Sequence, residues 1–315
     1  MYLKIIIKLR EAPPCRRGAS LWQSKIPKAY VMNKLILTRL LYIIIILLLS
    51  LYMQMRNSAA AETVSDHQLA KLNTKLSEVR IENLKETIQQ LQSYGNRYTG
   101  EKQCEAAQWA AERFKQYGLQ VKLHYYDFKG KTWPNVIAQV TGTKHPDKMI
   151  MLLAHVDSIS DDPANGAPGA DDNASGVAVL LEIARILKMS PLEYSVFFCI
   201  FTNEEQGTQG SKAYAKKMKQ EAMNIKAAIN VDLIGYNRPE KAFYYDAVTS
   251  HITLKHKAKA LVRMMRNYYR SFEGDNVVKI AGRVADKALL STVTEGINAA
   301  GIGLKVKELI DDGCG

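Results

Sequence analysis

Met149–Ser158, MIMLLAHVDS, joins six successive apolar residues directly to a histidine and an aspartate. An apolar run without alternation suits a strand buried on both faces, and such strands belong to mostly parallel sheets covered by helices. Runs of the same kind recur outward from it, at 119–128, 135–142 (NVIAQVTG), 195–202 (SVFFCIFT) and 227–234 (AAINVDLI). Between and around them lie helical patterns at 104–117 (closed by Gly118), 173–188, 208–220, about 251–271 and 285–300. Strands alternating with helices predict an α/β fold: three αβα layers around a mostly parallel central sheet, with helices on both faces. Residues 93–315 read as one such domain, and 62–92 as a helical N-terminal segment (LAKLNTKLSEVRIENLKETIQQL) leading into it. The length and 47% hydrophobic content support a sizeable core.

The net charge of +12 is uneven. Residues 1–61 carry ten Lys and Arg against one acid, which leaves 33 against 30, or +3, for the remainder. A basic surface for nucleic acid is therefore not expected, and neither is a nucleic-acid partner. Leu40–Met53 is a 14-residue apolar run preceded by Lys34 and Arg39 and followed by SAAAE at 58–62. That pattern over 32–61 fits a signal peptide, with an uncleaved anchor through 35–53 as the alternative; either predicts export to the periplasm or medium, or tethering through this segment alone. Residues 1–31 read as an over-extended start with no fold, because Met32 is placed to begin an ordinary signal peptide.

Polar groups follow directly on three of the apolar runs: His155 and Asp157 on the first, Glu204 and Glu205 on 195–202, and Asp232 within 227–234. A fourth group, Asp171-Asp172 in APGADDNASG (167–176), opens a helix. Each has a plain structural reading alone: a bonded strand-end histidine, a solvated acidic pair, an aspartate on backbone amides, helix-capping acids. Together they place one imidazole and several carboxylates at the carboxyl ends of a sheet, where α/β folds bind ligands. Buried charges of this kind are costly unless paired or metal-bound, and N/O donors without thiolates point to Zn²⁺ or a similar divalent ion.

AHVDS, APGADDNASG, NEEQGTQGS and NVDLIG, with SYGNRYTG at 93–100, resemble in order and spacing the co-catalytic zinc aminopeptidases of the secreted bacterial leucyl aminopeptidase type. The resemblance covers roughly residues 90–315. It implies a peptidase that removes N-terminal residues from peptide substrates with two Zn²⁺ ions. His155 then ligates one zinc, and Asp157 bonds its other ring nitrogen. Asp171 bridges the metals beside a cis peptide to the next residue. Glu205 is an acidic ligand of one metal, Asp232 an acidic ligand of the other, and Glu204 the general base acting on the metal-activated water. The proposed division between the adjacent glutamates rests on an extended backbone, in which neighbours point opposite ways.

The family also uses a histidine in a C-terminal S-D-H element, and none of the six histidines here fits it. In those enzymes the element follows a Cys-Gly-rich loop, and this sequence closes on ELIDDGCG, so the expectation is a truncated copy whose orphan Cys314 stands in that loop. The alternatives are a one-metal relative, glutaminyl-cyclase-like, a carboxypeptidase-like member of the broader clan, or a non-catalytic binding domain.

Overall fold

The computed structural model describes residues 4–8, 74–75, 77–98, 100–159, 167–235, 277–282, 287–299 and 305–310. The elements are β1 (Lys4–Lys8), α1 (Ile81–Ser93), α2 (Glu101–Gln116), β2 (Gln120–Phe128), β3 (Lys131–Val140) and β4 (His145–His155). There follow α3 (Gly176–Leu187), β5 (Tyr194–Phe201), α4 (Gln209–Gln220), β6 (Asn224–Asp232), β7 (Val277–Gly282), α5 (Lys287–Ala299) and β8 (Lys305–Ile310).

Every residue of β5 is buried, and its alternate side chains enter two separate cores. Val196, Phe198 and Ile200 join a cluster with α1, α2, α3 and α5. Phe197, Cys199 and Phe201 join Tyr214 and Met218 of α4 on the other face. Period-2 alternation therefore survives in space although both positions are apolar in sequence. That produces the three layers. Helix α3 is buried over almost its whole circumference, as expected for a helix that packs on the sheet with α1 and α2 against it. Truncating a side chain such as Phe198 there costs about 3–5 kcal/mol.

The eight strands run in the order β2-β3-β5-β4-β6-β1-β7-β8. The centre is parallel: β4 pairs β5, with His155 opposite Phe201, and β6, with Leu153 opposite Asn230. All three strands thus end on one rim, which carries His155, the segment after Phe201, and Asp232. The β2–β3, β3–β5 and β1–β7 pairings are antiparallel, so among the described residues four of the seven pairings are parallel.

Three differences from the sequence reading stand out. Lys4–Lys8, within the segment given no fold, forms a strand parallel to β6 with Ile7 opposite Val231. Strands β7 and β8 were not anticipated either. Each of these is only five or six residues long, too short for apolar patterning to separate from background. The helix expected at 251–271 and the apolar run 40–53 lie outside the described residues. Among the described residues no helix is long and apolar enough to cross a membrane.

Candidate metal centre

His155, the last residue of β4, is buried and central. Its Nε2 lies 3.2 Å from Asp172 Oδ1 and 3.6 Å from Asp232 Oδ1. Its Nδ1 faces Asp157, 3.2 Å from the carbonyl and 3.5 Å from Oδ1. Asp157 in turn accepts a hydrogen bond from the Glu205 backbone N–H at 3.0 Å, tying the β4 rim to the β5 rim. Donor atoms of His155, Asp172 and Asp232 lie within 4.8 Å of one another, and so do those of His155, Glu204 and Glu205.

The Asp171-Asp172 doublet needs a correction. It is Asp172, not Asp171, that turns toward His155, and the cis peptide joins Asp172 to Asn173 rather than Asp171 to Asp172. Asp171 is held elsewhere: its Oδ1 accepts from Gly235 N at 2.6 Å, and its carbonyl accepts from Ser175 Oγ at 2.7 Å. The residues lie in a wide helical turn, Ala170–Ser175, whose backbone leaves helical geometry at Asp172 and Asn173. Asn173 anchors that turn, donating to Val231 O on β6 and accepting from Gly176 N at the start of α3. Gly176 must be small here, because a Cβ would lie 2.5 Å from Val231 O.

Glu204 and Glu205 do not sit on an extended segment. Asn203 is left-handed (φ 55°), and Gly207 and Thr208 both donate to the Glu204 carbonyl, making a tight turn. Asn203 is fixed by its Nδ2 bond to Tyr126 Oη at 2.7 Å and by accepting from Gln206 at 2.8 Å. Both carboxylates consequently reach the His155 neighbourhood, where opposite directions along a strand were expected.

The electrostatics of the cluster are those of a site short of positive charge. Burial, and after it the nearby Asp172, pushes Glu205 up to about 8. Burial likewise raises Glu204 and lifts Asp171 to about 6. Burial of His155 favours its neutral form, yet Asp157, Asp172 and Asp232 together outweigh it and raise the imidazole well above its ordinary value. Glu205 Oε1 is buried with no hydrogen-bond partner. Crowded carboxylates beside one imidazole, with an unsatisfied buried oxygen, fit a divalent cation held by N/O donors. Among the described residues no cysteine belongs to the donor cluster; Cys199 is buried in β5, its thiol pushed up by burial.

Two residues carry more of the site than the sequence reading gave them. Asp172 was visible as half of a doublet, but only the turn decides which half faces the histidine. Arg97, within SYGNRYTG, is fully buried beneath the rim, and burial lowers its guanidinium to about 10. An arginine followed by polar residues offers no periodic signal of burial.

Residues 135–291 match the model of Peptidase family M28. Curated relatives that it matches include fungal proteins. A probable zinc metalloprotease of Pyrenophora teres f. teres is 30% identical over 202 residues, covering 56% of this chain and 43% of the relative. Another from the same fungus is 29% identical over 188 residues, covering 52% and 39%. The chain thus spans less than half the length of the curated relatives it matches. Among solved structures, Legionella pneumophila LapA aligns at 23% identity over 57% of this chain and 51% of its own, with a TM-score of 0.48. LapB aligns at 26% over 56% and 50%, TM-score 0.46. A Bacteroides thetaiotaomicron glutaminyl cyclase bound to N-acetylhistamine aligns at 22% over 51% and 64%, TM-score 0.45.

Proposed function

Starting from the match of residues 135–291 to Peptidase family M28, we propose that the protein is a zinc-dependent exopeptidase that hydrolyses N-terminal residues from peptides. The observation that carries this reading is the convergence of His155, Asp172, Asp232, Glu204 and Glu205 on one rim of the sheet. His155, Asp172 and Asp232 would hold one Zn²⁺, and Glu205 with Asp172 a second. Zinc bound there supplies Lewis acidity toward a peptide carbonyl.

The chain's own residues do the rest. Glu204, half-buried in a turn pinned by Asn203 and Tyr126, is the general base and then the acid for the leaving amine. Burial raises its proton affinity in the direction a general base at neutral pH requires. Asp157 orients the imidazole through Nδ1 and, by accepting from Glu205 N, fixes the two rims at one separation. Export, or tethering through residues 35–53, accompanies this proposal, supported by the apolar run and its basic flank.

The test is hydrolysis of aminoacyl nitroanilides by the zinc-loaded protein, with bound zinc counted in parallel. One zinc per chain would favour the one-metal alternative, and undiminished turnover by Glu204→Ala would remove Glu204 from the mechanism.

A further inference from the structure

Arg97 is fully buried, yet no carboxylate accepts from it in any hydrogen bond described. Its side chain donates to four backbone carbonyls from three separate segments. Nε reaches Val156 O at 2.8 Å, Nη1 reaches Leu91 O at 2.6 Å and Pro168 O at 2.8 Å, and Nη2 reaches Gly169 O at 3.1 Å. Leu91 lies in α1, Val156 lies between His155 and Asp157, and Pro168-Gly169 lead into the turn that carries Asp172. The backbone N–H of Arg97 adds a bond to Ser158 Oγ at 3.3 Å, and that hydroxyl donates to Ala167 O at 2.6 Å. The segments meet so closely that a Cβ on Gly169 would lie 2.4 Å from Ser158 Cβ and 2.8 Å from Arg97 Nη2.

Burying a guanidinium against carbonyls alone is expensive unless the site gains by it. Its planar guanidinium carries five N–H donors in a fixed fork, which suits carbonyls arriving from several directions at once. Its charge also sits near Asp157 and Asp172, one carboxylate on each of two segments it joins. We propose that Arg97 is a positioning residue: its fork fixes the His155–Asp157 segment against the Asp172 turn, and the spacing it sets determines how tightly the site holds a divalent cation. The proposal rests on the metal-site reading above, and on no particular peptide substrate.

Arg97→Lys keeps the charge and loses the fork; Ser158→Ala removes only the adjoining link and is the milder change. The first readout is hydrogen exchange of the metal-free proteins. In Arg97→Lys the amides of 156–158 and 167–175 exchange at least tenfold faster while those of α3 and β5 keep their wild-type protection; Ser158→Ala shows the same pattern a few-fold weaker. The second readout is Zn²⁺ affinity by competition with a chelating dye. The expected loss is roughly 10–100-fold for Arg97→Lys, in the range typical of groups that orient metal ligands, and a few-fold for Ser158→Ala. Wild-type exchange and wild-type zinc affinity in both variants overturn the proposal, as does loosening spread evenly through α3 and β5, which marks a general structural role. A wild-type protein that binds zinc but cleaves no peptide would instead sink the peptidase reading and leave this comparison of variants intact.

Discussion

The two acidic doublets of the rim, Asp171-Asp172 and Glu204-Glu205, look alike in sequence and behave differently in space. In the first, only Asp172 faces His155, while Asp171 is spent on Gly235 and Ser175 at the mouth of α3. In the second, a tight turn lets both carboxylates approach the histidine. The local backbone therefore decides whether two adjacent acids face one site or two. The first doublet pairs a carboxylate that faces His155 with one that braces the backbone; the second pairs two that face the same site.

Removing the metal should erase both halves of that contrast. Dialysis against a chelator is expected to abolish nitroanilide hydrolysis, with Zn²⁺ restoring it; activity insensitive to chelation would break the comparison at its root. Next come the halves of each doublet. Asp172→Asn should lower zinc affinity by more than 100-fold, beyond the range for groups that merely orient ligands, as read by titration. Glu204→Gln should cut kcat by about 10²–10⁴-fold while zinc content stays at the wild-type level, whereas Glu205→Gln should lose zinc. Equal zinc loss in the two glutamine variants would mean both glutamates are ligands.

Asp171→Asn keeps an oxygen for Gly235 and Ser175, so its effect should be smaller. We expect about 0.5–1.5 kcal/mol of stability, measured by denaturant unfolding, and less than a tenfold change in kcat/KM. A collapse of activity as deep as that of Asp172→Asn would restore Asp171 to the metal. The smallest effect on turnover belongs to a site-distant control. Buried Glu182 accepts from Arg185, Asn83 and the Arg80 backbone. Glu182→Gln should lower stability by about 1–3 kcal/mol and leave kcat/KM of the folded protein unchanged.

Much of this was legible beforehand. SVFFCIFT and MIMLLA announced strands covered on both faces because nothing polar interrupts them, and the rim residues were legible because polar groups follow those runs at once. The antiparallel pairings and strands Lys4–Lys8, Val277–Gly282 and Lys305–Ile310 were not, since short strands gain their stability from neighbours distant in sequence. The roles within each doublet were illegible for a related reason. A single backbone dihedral, at Asp172 or Asn203, redirects a side chain without changing composition.

The sequence by itself determined the chemistry available: one histidine and several carboxylates, placed after three apolar strands and at the start of a helix. Tertiary structure decided the assignments. It selected Asp172 over Asp171, bent Glu204 and Glu205 onto one side, and drew Arg97 beneath both loops. Donor types are properties of residues. Distances between donors depend on turns, register and cross-chain hydrogen bonds, which exist only once the layers have packed.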